Sequence, residues 1–250
     1  MRSYLFLLLL LGTLPSAAQG LAGTRNLDRA LLVGIGYGPF TAAGDLGDRF
    51  GRGFAIEGAV DFTATNAAWQ FGIMAQYGFG STVKEDVLAG LRTSAGSLVG
   101  NQRDPADINL RQRQLFLGPR AGYTLALGEN RRAGVQFRTG VGYFYHRIRI
   151  QDDPVQFVPQ VAEDLQAGYD RLAGGPAFYQ FIGYQQLARD RRLNFFIGAE
   201  ATLAFTRNLR SYDIPTGAPP PGDGRTDIAL GVRVGLILPL YMGEGRQIYY

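Results

Sequence analysis

Cysteine is absent from the 250 residues, which removes disulfide frameworks, thiolate nucleophiles, cysteine metal sites and lipid attachment at an N-terminal Cys. Histidine occurs once, as His146. A single His without Cys does not make a zinc site, and no G-x-S-x-G elbow supplies it with a nucleophile. Catalysis there would need a Ser distant in sequence, so no catalytic residue, metal ligand or cofactor is assigned. Lysine is nearly missing as well: of 25 basic residues only Lys84 is not arginine. The net charge of +4 comes without a basic cluster on a recognisable nucleic-acid module, so no nucleic acid partner is expected. Beyond the first twenty residues, no apolar run reaches the roughly 18 residues of a membrane-spanning helix.

What is present is a short-period pattern. Residues 226–241 place Ile228, Leu230, Val232, Val234, Leu236, Leu238 and Leu240 at every second position. Ala229, Gly231, Arg233 and Gly235 lie between them. A period of two belongs to a strand, and this one outruns the usual strand of about 5–6 residues. An apolar stripe of that length suits a hydrocarbon layer, and a face of glycines with one arginine suits the inside of a transmembrane barrel. Glycine (35) and aromatic residues (12%) are abundant, in keeping with curved strands and interfacial rings.

The pattern recurs along the chain and predicts strands over 30–40, 53–63, 69–80, 111–127, 133–150, 176–188, 193–208 and 226–241. In 176–188 the alternation is the roughest. The Gly34-Ile35-Gly36-Tyr37-Gly38 run lacks the spacing of a dinucleotide fingerprint and reads as small residues inside a narrow barrel. Connections alternate long and short, as between the outer loops and periplasmic turns of such barrels. The segment 41–52 reads as a polar loop. Helical spacing appears at Val83, Val87, Leu88 and Leu91, and again at Val158, Val161, Leu165, Tyr169 and Leu172, so short amphipathic helices are expected in 81–110 and 151–174. Met1-Arg2, the apolar 5–11 and Ser16-Ala17-Ala18 predict a secretory signal peptide over 1–18, followed by one barrel domain over 19–250.

The exported start, the eight alternating strands and the aromatic outward faces resemble the small outer-membrane β-barrels of the OmpA/OmpX type and the broader group that includes PorT-like barrels. The resemblance implies an all-β, transmembrane, antiparallel up-and-down barrel in the bacterial outer membrane. It also implies a last strand ending on an aromatic residue, for which Tyr241 and Tyr250 both qualify.

Strand parity puts Glu57, Asp61 and Glu200 on the same interior as Arg120, Arg138 and Arg233. Unpaired charge is costly in a narrow lumen, so this set is expected to neutralise itself as a salt-bridge network; an ion path is the alternative. Arg111, Arg113, Arg147, Arg149, Arg207 and Arg210 fall at the outer rim, where guanidinium groups could hold anions such as the phosphates of lipopolysaccharide. The expected function is a structural or interaction platform whose long loops meet a protein partner or surface glycolipid. A narrow channel for a small solute is the alternative, with a lipid-modifying enzyme a distant third.

Overall fold

The computed structural model describes residues 26–153, 155–189, 193–220 and 222–242. The expected leader over 1–18 and the tail 243–250, with Tyr250, lie outside the described residues. Eight long strands account for the barrel: β1 (Ala30–Gly44), β2 (Arg52–Thr63), β3 (Trp69–Gly80), β4 (Asn109–Ala126), β5 (Ala133–Gln151), β6 (Ala173–Leu187), β7 (Asn194–Asn208) and β8 (Arg225–Tyr241). Each pairs antiparallel with its neighbours in sequence, and β1 also pairs with β8, from Ala30 opposite Tyr241 to Gly44 opposite Asp227. The ring is closed, so no strand edge offers unpaired N–H and C=O groups to lipid. At the seam, Met242 N donates to Arg29 O at 2.8 Å and Arg29 Nε donates to Met242 O at 2.8 Å.

The sides of the sheet are inverted relative to a water-soluble protein. Ile73 is 62% exposed and Leu236 60%, whereas Glu57 is 1% exposed and Arg233 fully buried. Hydrocarbon is the solvent that makes such an arrangement stable, because every apolar outward side chain then lies among acyl chains. Tyr37, opposite Val234 in the middle of the wall, stacks on Phe54 with ring centroids 5.5 Å apart, and Trp69 meets Tyr123 at 4.9 Å at the short-turn end. Amphipathic rings such as Trp69 and Tyr123 mark a membrane interface.

In β6 the aromatic residues Tyr179 and Phe181 point inward while Gln180 faces out. That reversal is why its alternation is hard to read. Gly183 and Gly198, opposite each other on β6 and β7, leave room for the Phe181 ring: a Cβ on either would stand 2.7 Å from its Cζ. Gly235 does the same for Phe196, whose ring atoms would be 2.4 Å from an added Cβ.

The short connections 64–68 and 127–132 share one end of the barrel with the last residues of β6 and the first of β7, and the long connections share the other. Helical expectations fail in the two longest. The 81–110 segment has a single 3-10 turn, Ala89–Leu91, and a two-residue ladder between Leu98–Val99 and Pro105–Ala106. Among its described residues, the 151–174 segment has the 3-10 turns Pro159–Val161 and Gln166–Gly168. Isolated helices this short gain little from their own hydrogen bonds, and Pro159 and the glycines break the register. The apolar residues at helical spacing instead bury individually: Val87, Leu88, Val158, Val161 and Tyr169 join the core over the barrel mouth. The α-helix found here, α1 (Asp45–Arg49), lies in the segment that reads as a polar loop. It sends Leu46 and Phe50 into the mouth, both fully buried.

Candidate functional site

The interior is filled from end to end by side chains on the inward parity of every strand. At the short-turn end, Arg132 Nη2 donates to three backbone carbonyls, Leu27 and Asp28 at 2.9 and 2.8 Å and Ala64 at 2.9 Å. Asn26 Nδ2 and Asn130 Nδ2 both donate to Leu187 O, at 3.1 and 2.9 Å. These contacts tie the chain before β1 to two of the short turns and close that mouth.

The middle of the lumen holds the charged residues. Arg120 from β4 grips Asp61 through two bonds, Nε to Oδ1 at 2.9 Å and Nη2 to Oδ2 at 2.6 Å, and reaches Glu57 Oε1 at 2.6 Å through Nη1. The alternation of β2 puts both carboxylates on its inner face, and the register sets Asp61 beside Gly72 of β3, which in turn faces Arg120. On the opposite side Arg233 of β8 pairs with Glu200 of β7, with Nε at 3.2 Å from Oε2 and Nη2 bonded to Oε1. Gln76 Nε2 also donates to Glu200 Oε1, at 2.7 Å. Tyr179 OH donates to Glu200 Oε2 at 3.2 Å and lies 3.5 Å from Glu57 Oε2, so the phenol serves Glu200 and stands between the two groups.

Arg138 departs from the expected pairing. Its Nη2 donates to Gln185 Oε1 at 3.1 Å, while Nε and Nη1 have no protein acceptor. The guanidinium lies 4.2 Å from the ring centre of Phe196 and 4.9 Å from that of Phe181. It is held by two aromatic faces rather than by a carboxylate. Of the three bases expected in the lumen, Arg120 and Arg233 touch the expected acids, whereas Arg138 touches none of them.

Toward the long-connection end, His146 Nε2 lies 2.9 Å from Asp227 Oδ2, and Thr206 Oγ1 donates to the same oxygen. Arg225 approaches the other Asp227 oxygen at 3.4 Å. Phe50 meets the imidazole edge-on at 5.5 Å, sealing the cluster beneath α1. The Thr206 hydroxyl gives its proton to the carboxylate and is not held by the imidazole, so this trio lacks the nucleophile–base contact of a hydrolytic triad. Above it, Glu85 joins Arg49 and Arg171, each through Nε at 2.8 Å, and Arg171 continues to Asp213 at 2.5 Å. Four connections are thereby fastened over the mouth. Among the described residues, no group of three or more His, Cys, Asp or Glu side chains could hold a metal ion.

The six rim arginines do not form one group. Arg111 faces Arg149 and Arg113 faces Arg147 across β4 and β5. Arg207 stands on β7, two strands away. Arg210 is taken by Asp170, with Nε at 3.0 Å from Oδ1, a bond that raises its pKa above the ordinary arginine value.

Glu57, Asp61, Arg120, Arg138, Glu200 and Arg233 are all buried; sequence parity does not single out Tyr179, Gln185, Asp227 or Arg132. Asp227 shares its parity with Arg233, which could have revealed it as the partner of inward-facing His146. Arg132 sits in a turn, where alternation gives no signal.

No family model matches the chain, and no curated protein matches it in sequence. Among solved structures, it is similar to Neisserial surface protein A, at 10% identity and TM-score 0.46 over 83% of this chain and 96% of that one. It is also similar to Ail, the attachment invasion locus protein of Yersinia pestis, solved with the heparin analogue sucrose octasulfate, at 12% identity and TM-score 0.39 over 84% and 99%. Ail without that compound aligns at 11% identity, TM-score 0.39 and the same coverage. At such identities and scores the likeness to these small barrels is one of architecture alone.

Proposed function

We propose that the chain is an integral protein of the bacterial outer membrane, exported by its N-terminal leader, that acts as a closed platform. The long connections face outward and meet a protein partner or surface glycolipid. The observation that carries this reading is the occupied lumen. Arg120 with Glu57 and Asp61, and Arg233 with Glu200 and Tyr179, fill it as two bonded groups that stand 3.5 Å apart between Tyr179 OH and Glu57 Oε2, and Arg132 and Phe50 close its two mouths. Eight strands leave an interior just wide enough for side chains, and carboxylates already bound to guanidinium groups are poor stepping stones for ions.

Planar bilayers containing the purified protein test it. A silent membrane is expected at all applied voltages. Reproducible single-channel steps from wild-type protein would replace the platform with the narrow channel.

A further inference from the structure

We propose that Arg111, Arg113, Arg147 and Arg149 form a binding site for the phosphate groups of an outer-leaflet glycolipid. The proposal deepens the platform reading and rests on its orientation, with the long connections outward.

The register is the primary observation. Arg111 opposes Arg149, and Arg113 opposes Arg147, on the outward faces of β4 and β5. Directly opposed residues bring their Cβ atoms to about 4.5–5.5 Å, and like charges so placed repel. Two such pairs follow each other on one ladder, about 7 Å apart along the strands. Protein acids do little to relieve them. Arg147 comes no nearer than 4.0 Å to Asp170, which Arg210 already holds. Arg111 Nε donates to the neutral Gln151 Oε1 at 3.1 Å, and Arg113 Nη1 to the Gln112 carbonyl at 2.7 Å. Of the nearby loop carboxyls, Asp107 accepts from Asn109, Asp152 from Gln166, and Asp153 from the backbone N–H groups of Asp107, Val155 and Gln156, so none is bonded to these four arginines. Four planar forks thus stand together with charge to spare, the geometry that grips phosphate oxygens in pairs.

The position selects the source of the phosphate. Descending the same two strands, the next outward pairs are Leu115 with Tyr145 and Leu117 with Tyr143. These belong to the apolar wall, so the arginines lie where acyl chains end and headgroups begin. A ligand joining closely spaced phosphates to hydrocarbon chains fits both levels at once. A soluble polyanion would use only the upper one.

The test uses the full chain in phosphatidylcholine nanodiscs, titrated with a bisphosphorylated acylated glucosamine disaccharide and with its dephosphorylated form. Bound lipid is counted by native mass spectrometry, and heat-modifiable gel mobility confirms the fold. Wild type is expected to prefer the bisphosphorylated lipid. Arg111→Gln with Arg149→Gln, and separately Arg113→Gln with Arg147→Gln, should each weaken its binding about tenfold or more. The charge-matched Arg103→Gln with Arg131→Gln should bind as wild type does. Equal binding of the dephosphorylated lipid, or equal loss in the control pair, would overturn the site. A sulfated oligosaccharide bound equally tightly without glycolipid would replace it with a soluble-polyanion surface. Conductance of the same preparations separates the two claims: a silent barrel that fails to bind refutes only the site, and a conducting barrel that binds refutes only the platform.

Discussion

Substituting Arg120 and Arg138 by methionine, one at a time, should give very different losses of stability although both guanidinium groups are buried in the same lumen. Arg120 makes three bonds to two carboxylates, and Glu57 and Asp61 are 1% and 5% exposed. Methionine there removes the charge, keeps most of the volume and strands both acids. Breaking a buried pair from one side costs about 3–5 kcal/mol, and the distant 3.5 Å contact from Tyr179 to Glu57 compensates little. Arg138 contributes one bond to Gln185 and two ring contacts, against the desolvation of a cation with two unsatisfied nitrogens. A charged hydrogen bond is worth about 1.5–3 kcal/mol and each desolvated cation–π contact about 2, while the burial penalty is several kcal/mol. These nearly cancel, so Arg138→Met should cost less than about 2 kcal/mol, chiefly through the lost balance of lumen charge. Urea unfolding in lipid vesicles, followed by tryptophan emission and gel mobility, measures both. Adding Glu57→Gln and Asp61→Asn to Arg120→Met should recover much of its loss. Equal losses from the two single variants would show that the carboxylates depend on Arg138 and that the pairing described here is wrong.

On the outer wall, Val234→Arg near mid-bilayer should destabilise insertion by about 2–4 kcal/mol, measured by refolding into vesicles; unchanged refolding would reverse the faces of β8. One residue on, Gly235→Ala should also destabilise, but by crowding Phe196 and the Ile35 carbonyl, each 2.4 Å from the added Cβ; relief by Phe196→Leu would identify the cause. An epitope inserted at exposed Gly96 should be labelled on intact cells and one at Gly128 should not, and the opposite pattern would invert the topology. Three backbone N–H groups hold the Asp153 carboxyl below its usual pKa, those of Asp107, Val155 and Gln156. A depressed carboxylate pKa means the tie is intact above the ordinary carboxylate range and is lost as pH falls through the lowered value. Protection of the Val155 and Gln156 amides, measured relative to intrinsic exchange at each pH, should therefore persist through mild acid and fall only in strong acid, a pH dependence abolished in Asp153→Asn.

Strand position and facing were legible because lipid outside and packed polar groups inside impose the same two-residue rhythm on every wall. β3 spans the expected 69–80, and the other strands differ at their ends by a few residues. The rhythm falters in β6 because Gly183 on the strand itself and Gly198 on β7 leave room for the inward Phe181 ring, so hydrophobicity no longer reports the side. Pairing inside the lumen was less legible. Parity says that Arg138 points inward, but which acid a long side chain reaches depends on the stagger between strands, and the stagger gives both acids of β2 to Arg120. Over the mouth the failure has another origin. Of the positions at helical spacing, Val158, Val161 and Tyr169 are buried while Leu165 is exposed, because the surface that covers them is an irregular ring of loops and not a flat face.

The seam between β1 and β8 carries a consequence for how the barrel forms. Every other ladder joins strands adjacent in sequence, whereas this one brings residue 30 against residue 241 and has the greatest loop-closure cost in the ring. The seven hairpin ladders can assemble as an open, curling sheet; the circle is completed by zipping this last pair. The reciprocal Arg29–Met242 bonds lie where that zipper ends, so they belong to the final step. Weakening them leaves the earlier ladders to form at their own pace and lengthens the life of the open sheet, the state in which bare strand edges are exposed to other chains.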